Sequence, residues 1–383
     1  MVDNSLGQYW LERNPDSALR EKLEFYLGAE NAAAEENVPP QELKILDPCM
    51  GSGHFLAFAL PMLVALRREE EKLSVAEAVD AVLRDNLFGL ELDPRCTQIA
   101  AFNVGLTAWK LAGYRPLPPL NLACAGHAIN APVAAWTALA AGDALAENAM
   151  KQLYELFRQA PTLGSLIDPT RVGGELFVAN FDKVAPLLAQ ALQRETDDER
   201  IELAVAARGV AAAAQLLARR YTLVITNVPY LLRRKQSPGL AKHLEHHFAR
   251  GKNDLATAFL LRLRSLRTRA GAVATVTPHS WLFLSGYKEL REKVLDEDEV
   301  NVLARLGPGA FETISGEVVN VALSVLAHST PEPTSTIAHY STEAAGDAPS
   351  KAALLRTGEA VRLVQSEQEA NPDARIGAIA KQA

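Results

Sequence analysis

Residues 45–58 read ILDPCMGSGHFLAF, in which a short apolar run is followed by an Asp-Pro step and a Gly-Ser-Gly turn. The run at 43–46 predicts a buried strand that the Asp-Pro step and the glycines end. From 54 to 68 the apolar residues recur with the period of an α-helix. Glycine lets a ligand approach the backbone at a helix N-terminus, because no side chain stands in the way. The stretch therefore predicts a strand–turn–helix unit able to bind a small ligand.

The same strand-then-helix alternation continues outward from this unit. LFGLEL (87–92) predicts a second buried strand, and the helical pattern after it runs from Pro94 to Leu111. YTLVITN (221–227) and GAVATVTP (271–278) are strongly β, with a helical span between them. Alternating strands and helices favour βαβ units, so we expect an α/β fold with a doubly wound, mostly parallel sheet.

Changes in composition divide the chain into five parts. They are an N-terminal helical lead-in (1–41), the first half of the α/β domain (42–145), a helical insertion (146–220), the second half of the domain (221–330), and a linker with a helical tail (331–383). The insertion is rich in Ala, Leu and Gln, and PEPTS at 331–335 marks the linker.

The composition indicates an ordinary globular protein. Of its 383 residues, 48% are hydrophobic and 22% are charged, which argues against disorder. The chain contains no run of 18 apolar residues and no basic-then-apolar leader, so we expect neither a membrane span nor secretion. Three cysteines are too few and too widely spaced for a disulfide framework or a zinc site. A cytoplasmic protein without a bound metal is the expectation.

The charge is uneven along the chain. The net charge is −7, yet residues 231–270 carry ten Lys or Arg against two acidic residues, a balance of +8. A local basic patch on an acidic chain is a usual arrangement for holding a polyanion. Arg233, Arg234 and Lys235 are the candidate nucleic-acid contacts. A solvated helix face would explain the same charges.

Two further short motifs point to chemistry. Glu91 ends the second predicted strand, 38 residues after Gly53, and an acidic residue there typically binds the hydroxyls of a ribose. Nothing matches the GxxxxGK[ST] phosphate loop, which disfavours ATP hydrolysis. Asn227-Val228-Pro229-Tyr230 directly follows a strand.

Together these motifs resemble the class I S-adenosylmethionine-dependent methyltransferases that methylate amino groups in DNA, whose hallmark is [DNS]-P-P-[YFW]. DPCMGSGHF is similar to that family's motif I, LELDP to its acidic motif, and AAGDAL to its adenine-contacting motif. Within the family the likeness is to the large adenine methylases of type IIG restriction and of BREX and DISARM phage defence. Three more segments resemble motifs of these enzymes and occur in the same order: NDLATAFL (253–260), VTPHSWLF (276–283) and GAFETISGEVVNVAL (309–323). The resemblance covers residues 1–330.

The resemblance implies a Rossmann-like fold, S-adenosylmethionine as cofactor and adenine in double-stranded DNA as substrate. Its cofactor residues correspond to Asp47, Pro48, Gly51, Ser52, Gly53 and Glu91, with Asp143 and Ala144 at the adenine. Its target-base residues correspond to Asn227, Val228, Pro229 and Tyr230. The Asn227 side-chain carbonyl and the Val228 backbone carbonyl would accept hydrogen bonds from the target amine, while Tyr230 would stack on the base.

Val228 departs from the family pattern, which has proline at this position. The role assigned there belongs to a backbone carbonyl, which valine keeps, and Pro229 still favours extended geometry at Val228. Two alternatives stay open. Release-factor glutamine methylases and some RNA methylases use a similar pocket, and a degenerate module could bind cofactor or DNA without turnover.

The extent of the chain leads to a last expectation. Relatives carry a motif that closes over the cofactor's methionine ahead of the DNSLGQYW-like segment, and a target-recognition region far downstream. Here Met1 nearly adjoins that segment, and the chain ends soon after NPDARIGAIA. We therefore expect a catalytic fragment whose target recognition is supplied by other subunits of a restriction or defence complex.

Overall fold

The computed structural model describes residues 1–27, 38–140, 143–171, 198–310 and 319–377. Its strands are β1 (Ile45–Asp47), β2 (Leu87–Glu91), β3 (Asn121–Cys124), β4 (Tyr221–Asn227), β5 (Arg267–Pro278), β6 (Glu299–Gly307), β7 (Val321–Ala327), β8 (Thr336–Ser341) and β9 (Val361–Val364). Its α-helices are α1 (Gln8–Arg13), α2 (His54–Glu71), α3 (Val75–Asp85), α4 (Pro94–Ala112), α5 (Val133–Ala138), α6 (Ala144–Phe157), α7 (Ala160–Leu163), α8 (Asp198–Ala218), α9 (Pro238–His247), α10 (Leu255–Leu266), α11 (Lys288–Glu297), α12 (Ala348–Thr357) and α13 (Gln365–Glu369).

The chain forms two compact units and passes between them more than once. The first unit contains Met1–Ile45, Pro61–Ser74 and Tyr221–Ala383, and the second contains Leu46–Leu60 and Val75–Arg220. The predicted insertion, 146–220, therefore belongs with the first half of the predicted domain. Residues 172–197 of that insertion lie outside the described residues.

The second unit is built around parallel strands. β3, β2 and β1 are neighbours in that order, and β2 pairs with β3 in parallel from Phe88↔Asn121 to Glu91↔Cys124. Helix α4 starts where the sequence predicts, because the Asp93 carboxylate caps it by accepting the N–H of Arg95 (2.8 Å). Helix α8 packs on β2 and β3. This arrangement brings the carboxyl ends of neighbouring strands to one edge, where the motif residues lie.

The first unit contains a mixed sheet in the order β4-β5-β7-β6-β8-β9. β4 and β5 are parallel, with Asn227 opposite Val276, whereas β7 runs antiparallel to both β5 and β6. β8 is parallel to β6, and β9 is antiparallel to β8. The carboxyl ends of β4 and β5 therefore lie side by side.

Both ends of the chain differ from the prediction. The predicted helical lead-in (1–41) is only partly helical in its described residues, since α1 ends at Arg13 and is followed by turns and a short 3₁₀ helix, Ala18–Lys22. The predicted linker and helical tail (331–383) is partly wrong in its described part, 331–377: helices α12 and α13 form there, but β8 and β9 also join the sheet of the first unit. In β8 the four residues 337–340 are all buried, so this strand shows no alternation of buried and exposed positions.

One helix has the length and apolarity of a membrane span. It covers Ile201–Ala218, with a mean hydropathy of 1.5, and half of it is buried. Glu202 and Arg208 interrupt it, so it does not appear in the sequence as an unbroken apolar run. Its packing on β2 and β3 is that of a core helix.

Candidate functional site

The loop after β1 is held by hydrogen bonds along its whole length. The amide of Met50 donates to the carbonyl of Leu90 at 3.0 Å, which joins the loop to β2. The hydroxyl of Ser165 donates to the carbonyl of Pro48 at 2.6 Å, and Asn103 donates its Nδ2 hydrogen to the carbonyl of Ser52 at 3.1 Å. The loop is therefore preorganised by β2, α4 and the segment after α7.

The two glycines of this loop have left-handed backbone angles for different reasons. Gly51 has φ +52°, and nothing lies within 4 Å of the position that a Cβ would take. Gly53 has φ +79°, and a Cβ there would meet the Cβ of Ala100 at 3.0 Å. Gly53 thus permits close packing of α2 against α4, whereas Gly51 faces open space that a ligand could use.

Glu91 lies at the end of β2, as predicted, and the structure joins it to the glycine loop. Its Oε2 accepts the amide hydrogen of Gly51 at 2.7 Å, while Oε1 accepts those of Leu92 (2.8 Å) and Asp93 (3.2 Å). Oε1 therefore uses both of its lone pairs, whereas Oε2 keeps one that can accept a hydroxyl hydrogen. Glu91 is half-buried beside the open space at Gly51. An open glycine loop, a helix N-terminus and an acceptor carboxylate fit a ribose-bearing ligand with a charged amino-acid part.

The other predicted cofactor residues have local structural roles. Asp47 is buried at the end of β1, and its Oδ1 accepts the amide hydrogen of Cys49 at 3.2 Å. Asp143 is exposed and caps α6, with its Oδ1 accepting from the amide of Ala146 at 2.9 Å. Ala144 is the first residue of that helix. The contacts of Asp143 are those of a helix cap, and its role toward an adenine is a prediction.

The NVPY motif directly follows the core of the first unit. Asn227 is the last residue of β4 and is exposed, while Thr226 before it and Val228 after it are buried. Pro229 is exposed and Tyr230 is half-buried. The motif therefore presents the Asn227 amide at the carboxyl edge of the sheet and uses Val228 as an anchor in the core.

Within the motif, two predicted side chains contact each other. The hydroxyl of Tyr230 donates to Oδ1 of Asn227 at 2.7 Å. Burial, and then the nearby charge of Asp254, raise the pKa of Tyr230 well above its ordinary value of 10, so the phenol keeps its proton. The hydrogen bond occupies the atom that the family resemblance assigns to the target amine.

Residues that the sequence analysis did not single out hold the segment after the motif. Asp254 is buried, with 4% exposure, and its Oδ1 accepts the amide hydrogen of Leu231 at 3.2 Å. Gln236 donates its Nε2 hydrogen to the carbonyl of Leu231 at 3.1 Å. An aspartate before the apolar run LATAFLL is a helix-cap signal, but its reach back to Leu231 depends on tertiary structure.

Only some of the cations in the predicted basic patch lie on the surface. Arg262 and Arg267 are buried, and Arg267 forms an ion pair with buried Asp298. Arg264 also pairs with Asp298, at 2.5 Å. These three arginines stabilise the first unit, so the expectation that the whole stretch faces phosphates is wrong for them. Helical and β periodicity in their neighbours was the missed sign of burial.

The remaining cations of the stretch are accessible. Arg234 and Lys235 are exposed in the turn Arg233–Lys235, which follows the motif closely. Arg233 pairs with Glu245 at 3.1 Å, and Lys252 pairs with the same carboxylate at 3.2 Å. Arg233 is thus partly neutralised, whereas Arg234 and Lys235 are the better placed of the predicted phosphate contacts. Among the described residues, no group of three or more His, Cys, Asp or Glu could hold a metal ion.

Comparison with known proteins identifies a matching family and related sequences. The family described as Eco57I restriction-modification methylase matches residues 85–311, more than half of the chain. The chain is 29% identical over 363 residues to the adenine-specific methyltransferase BrxX of Escherichia coli O9:H4 (strain HS), covering 85% of this chain and 29% of BrxX. It is 26% identical over 347 residues to the adenine-specific methyltransferase PglX of Lacticaseibacillus casei (strain Zhang), covering 85% of this chain and 28% of PglX.

A solved structure supports the fold. A nuclease-deletion mutant of the type ISP restriction-modification enzyme LlaGI, in complex with a DNA substrate mimic, superposes with a TM-score of 0.50 at 14% identity. The match covers 84% of this chain and 23% of that one. The present chain thus spans less than a third of the length of these relatives. The predicted Rossmann-like, class I methyltransferase fold is confirmed. The chain belongs to the Eco57I restriction-modification methylase family.

Proposed function

We propose that this chain is the catalytic part of an adenine-specific DNA methyltransferase. It would transfer a methyl group from S-adenosylmethionine to the exocyclic amine of adenine in double-stranded DNA. Membership of the Eco57I family, joined to an exposed Asn227 at the end of β4 within NVPY, is the observation that carries the proposal. The relatives named adenine-specific methyltransferases favour adenine over the glutamine and RNA alternatives.

The target-base residues would act by positioning and by accepting hydrogen bonds. An exocyclic aromatic amine is a weak nucleophile, because its lone pair is delocalised into the ring. Acceptors at Asn227 Oδ1 and at the Val228 carbonyl would hold both N–H groups and favour a tetrahedral nitrogen. Buried Val228 fixes the direction of its own carbonyl. The Tyr230 ring would stack on the base and help to offset the few kcal/mol that extruding it from the duplex costs.

The loop of the second unit would bind the cofactor. When bound, S-adenosylmethionine supplies an electrophilic methyl group on a sulfonium. Glu91 would accept a hydrogen bond from a ribose hydroxyl through the lone pair of Oε2 that its bond to the Gly51 amide leaves free. Gly51 would let the ligand lie against the loop, where a side chain would exclude it. Asp47, Pro48, Ser52 and Gly53 would shape that loop, and Asp143 with Ala144 would contact the adenine.

We also propose that the chain contacts DNA and other subunits. Arg234 and Lys235, with Arg233 as a weaker contributor, would bind phosphates beside the extruded base, so DNA binding should weaken steeply with salt. Type I and type II enzymes of this class act on DNA within restriction systems, and we place this chain in a restriction or phage-defence system of the cytoplasm. Target recognition would come from other parts of the assembly.

The direct test is methyl transfer from labelled S-adenosylmethionine to mixed duplex DNA at low salt. Products would be digested and identified by mass spectrometry, with RNA and a release-factor peptide assayed in parallel. We expect N6-methyladenine from DNA alone. Asn227→Ala should lower the rate at least about 100-fold, since it removes a preorganised acceptor, while cofactor affinity measured by calorimetry stays within twofold.

The outcomes separate the alternatives. Methylation of RNA or peptide but not of DNA would refute the assigned substrate. Cofactor binding without transfer to any substrate would favour a binding module without turnover. An Asn227→Ala variant as active as the parent would remove NVPY from the site.

A further inference from the structure

The segment Lys252–Leu255 and the segment Leu231–Gln236 are joined by hydrogen bonds that use both backbones. The amide of Leu255 donates to the carbonyl of Leu231 at 3.0 Å, and the amide of Arg233 donates to the carbonyl of Asn253 at 2.9 Å. Leu232 and Asp254 form an isolated antiparallel bridge. The chain leaving NVPY is therefore fastened within two residues of Tyr230.

The Asp254 side chain adds contacts of its own at the centre of this joint. One carboxylate oxygen, Oδ1, accepts from the amide of Leu231 (3.2 Å) and from that of Ala256 (2.9 Å). The first bond holds the residue next to Tyr230, and the second caps α10. A single buried atom thus couples the start of a rigid helix to the end of the target-base motif.

Asn253 and Asp254 also interact with the loop that follows β5. Asn253 donates its Nδ2 hydrogen to the carbonyl of Gly286 at 3.0 Å. The charge of Asp254 acts on the hydroxyl of Tyr287 as well as on that of Tyr230. Because β4 and β5 are adjacent and parallel, Asn253 and Asp254 connect the loops at two neighbouring strand ends.

We propose that Asp254 is a positioning residue for methyl transfer, acting through Leu231 to fix the orientation of Asn227 and Tyr230. This inference rests on the proposed function, because it assigns Asp254 to the same reaction. The carboxylate touches neither base nor cofactor in this role. It sets the loop so that the Asn227 acceptor and the Tyr230 ring are in place before the base arrives, which lowers the cost of ordering them in the complex.

A role as helix cap alone is the competing explanation, and a second aspartate cap in the chain serves as a control for it. Asp347 is an exposed cap of α12, with its Oδ1 accepting the amide hydrogen of Ser350 at 2.8 Å. Asp347 lies in the first unit like Asp254, and no described hydrogen bond joins it to Leu231 or to NVPY. Asp254→Ala and Asp347→Ala therefore each remove a helix-cap hydrogen bond, but only the first removes a buried carboxylate and the bond to Leu231. Asp254→Asn keeps an oxygen at the same place, because asparagine caps helices about as well as aspartate.

The test compares the three variants with the parent protein. For Asp254→Ala we expect kcat to fall on the order of 100-fold, with little change in KM for S-adenosylmethionine, because a small misplacement of reacting groups is costly. Asp254→Asn should restore kcat to within about fivefold, and Asp347→Ala should leave it unchanged. Both alanine variants should lose a few degrees in Tm, on the order expected for one cap.

Hydrogen exchange followed by mass spectrometry gives a readout that does not need activity. Peptides covering residues 229–235 should lose protection in Asp254→Ala, keep it in Asp254→Asn, and be unaffected by Asp347→Ala. Unchanged exchange in Asp254→Ala, or an equal loss of kcat in both alanine variants, would overturn the positioning role. If the parent protein transfers no methyl group, the proposed function fails, while the exchange data still decide whether Asp254 holds this loop.

Discussion

The loop after β1 and the loop after β4 both present predicted site residues at the end of a strand, yet they are held in different ways. The first contains two left-handed glycines, and the side chains of Glu91, Asn103 and Ser165 hold it in place together with a backbone bond to Leu90. The second contains no glycine and is held by buried Val228, by the Asp254 carboxylate and by backbone hydrogen bonds to Asn253 and Leu255. The first loop thus depends on glycine conformations that its own sequence specifies, whereas the NVPY loop depends on residues more than twenty positions downstream.

This difference predicts different sensitivities. Substitutions that add atoms should damage the first loop, because its function requires empty space and unusual backbone angles. Substitutions that remove atoms should damage the second, because its position depends on specific contacts. The variants below test that contrast, beginning with the largest expected effect.

Replacing each glycine by alanine should mainly lower protein stability at Gly53 and mainly lower cofactor affinity at Gly51. Gly53→Ala places a Cβ 3.0 Å from the Cβ of Ala100, so we expect a loss of stability of about 1–3 kcal/mol, from backbone strain and crowding together. In Gly51→Ala the new Cβ meets no atom, so the left-handed backbone alone should destabilise the protein, by about 1 kcal/mol. The same Cβ would fill the open space, so cofactor binding should weaken on the order of 10- to 100-fold. Denaturant unfolding and calorimetry measure the two effects. Equal cofactor binding by Gly51→Ala and parent protein would show that the open space is not a ligand site.

A substitution at Glu91 can loosen the glycine loop after β1 without adding atoms to it. Glu91→Ala removes the acceptor for the Gly51 amide and for a ribose, so S-adenosylmethionine should bind about tenfold more weakly. Glu91→Gln keeps one acceptor oxygen and should lose less. Calorimetry at matched protein concentrations gives both values, and an unchanged Kd for the alanine variant would exclude Glu91 from the site.

Acid should act on the first unit through His339, which is buried, and His279, which is half-buried. Burial, and then the charge of Arg305, lower the pKa of His279 and of His339 below 6.5, while Glu343 acts in the opposite sense on both. Because the unfolded chain binds these protons more readily, the stability that they contribute is complete above pH 6.5 and is lost as the pH falls through the lowered values. We expect Tm to drop between pH 6.5 and 5 on the order of a few degrees, and His339→Gln to reduce that drop. An identical pH profile in this variant would exclude the contribution of His339.

Restoring the family residue at Val228 should have the smallest effect. Val228→Pro keeps the backbone carbonyl, and Asn227 before it is already extended, as a residue preceding proline must be. We therefore expect methyl transfer within about threefold of the parent rate. A tenfold loss in single-turnover assays would mean that the packing of the valine side chain or its N–H, and not only the carbonyl, determines the geometry of the loop.

The sequence predicted those parts of the fold that depend on local pattern. The helices from His54 and Pro94 and the strands at 87–91 and 221–227 follow from periodicity and caps, and the structure agrees with them. The strands β8 and β9 in the tail were missed, because they are short and form by pairing with β6 and with each other. Pairing of that kind leaves little trace in composition.

In the candidate site, too, contacts that follow from local pattern were predictable and contacts with distant residues were not. The contact between the glycine loop and Glu91 was predictable, since successive parallel strands bring their ends together. The ion pairs of Arg264 and Arg267 were not, because a count of charges does not reveal their partner Asp298 some thirty residues away. The reach of Asp254 back to Leu231 was hidden for the same reason.

The interleaved course of the chain has a consequence for synthesis. In the first unit, Thr222 donates its hydroxyl hydrogen to the carbonyl of Lys44 at 2.9 Å and accepts from the amide of Lys44 at 2.7 Å, across 178 residues of sequence. All of the second unit, which ends at Arg220, leaves the ribosome before Thr222 does. The second unit can therefore fold during translation, while residues 1–45 wait for partners that emerge later. Until then Ile45, which is fully buried in the folded unit, lacks its neighbouring strand β4.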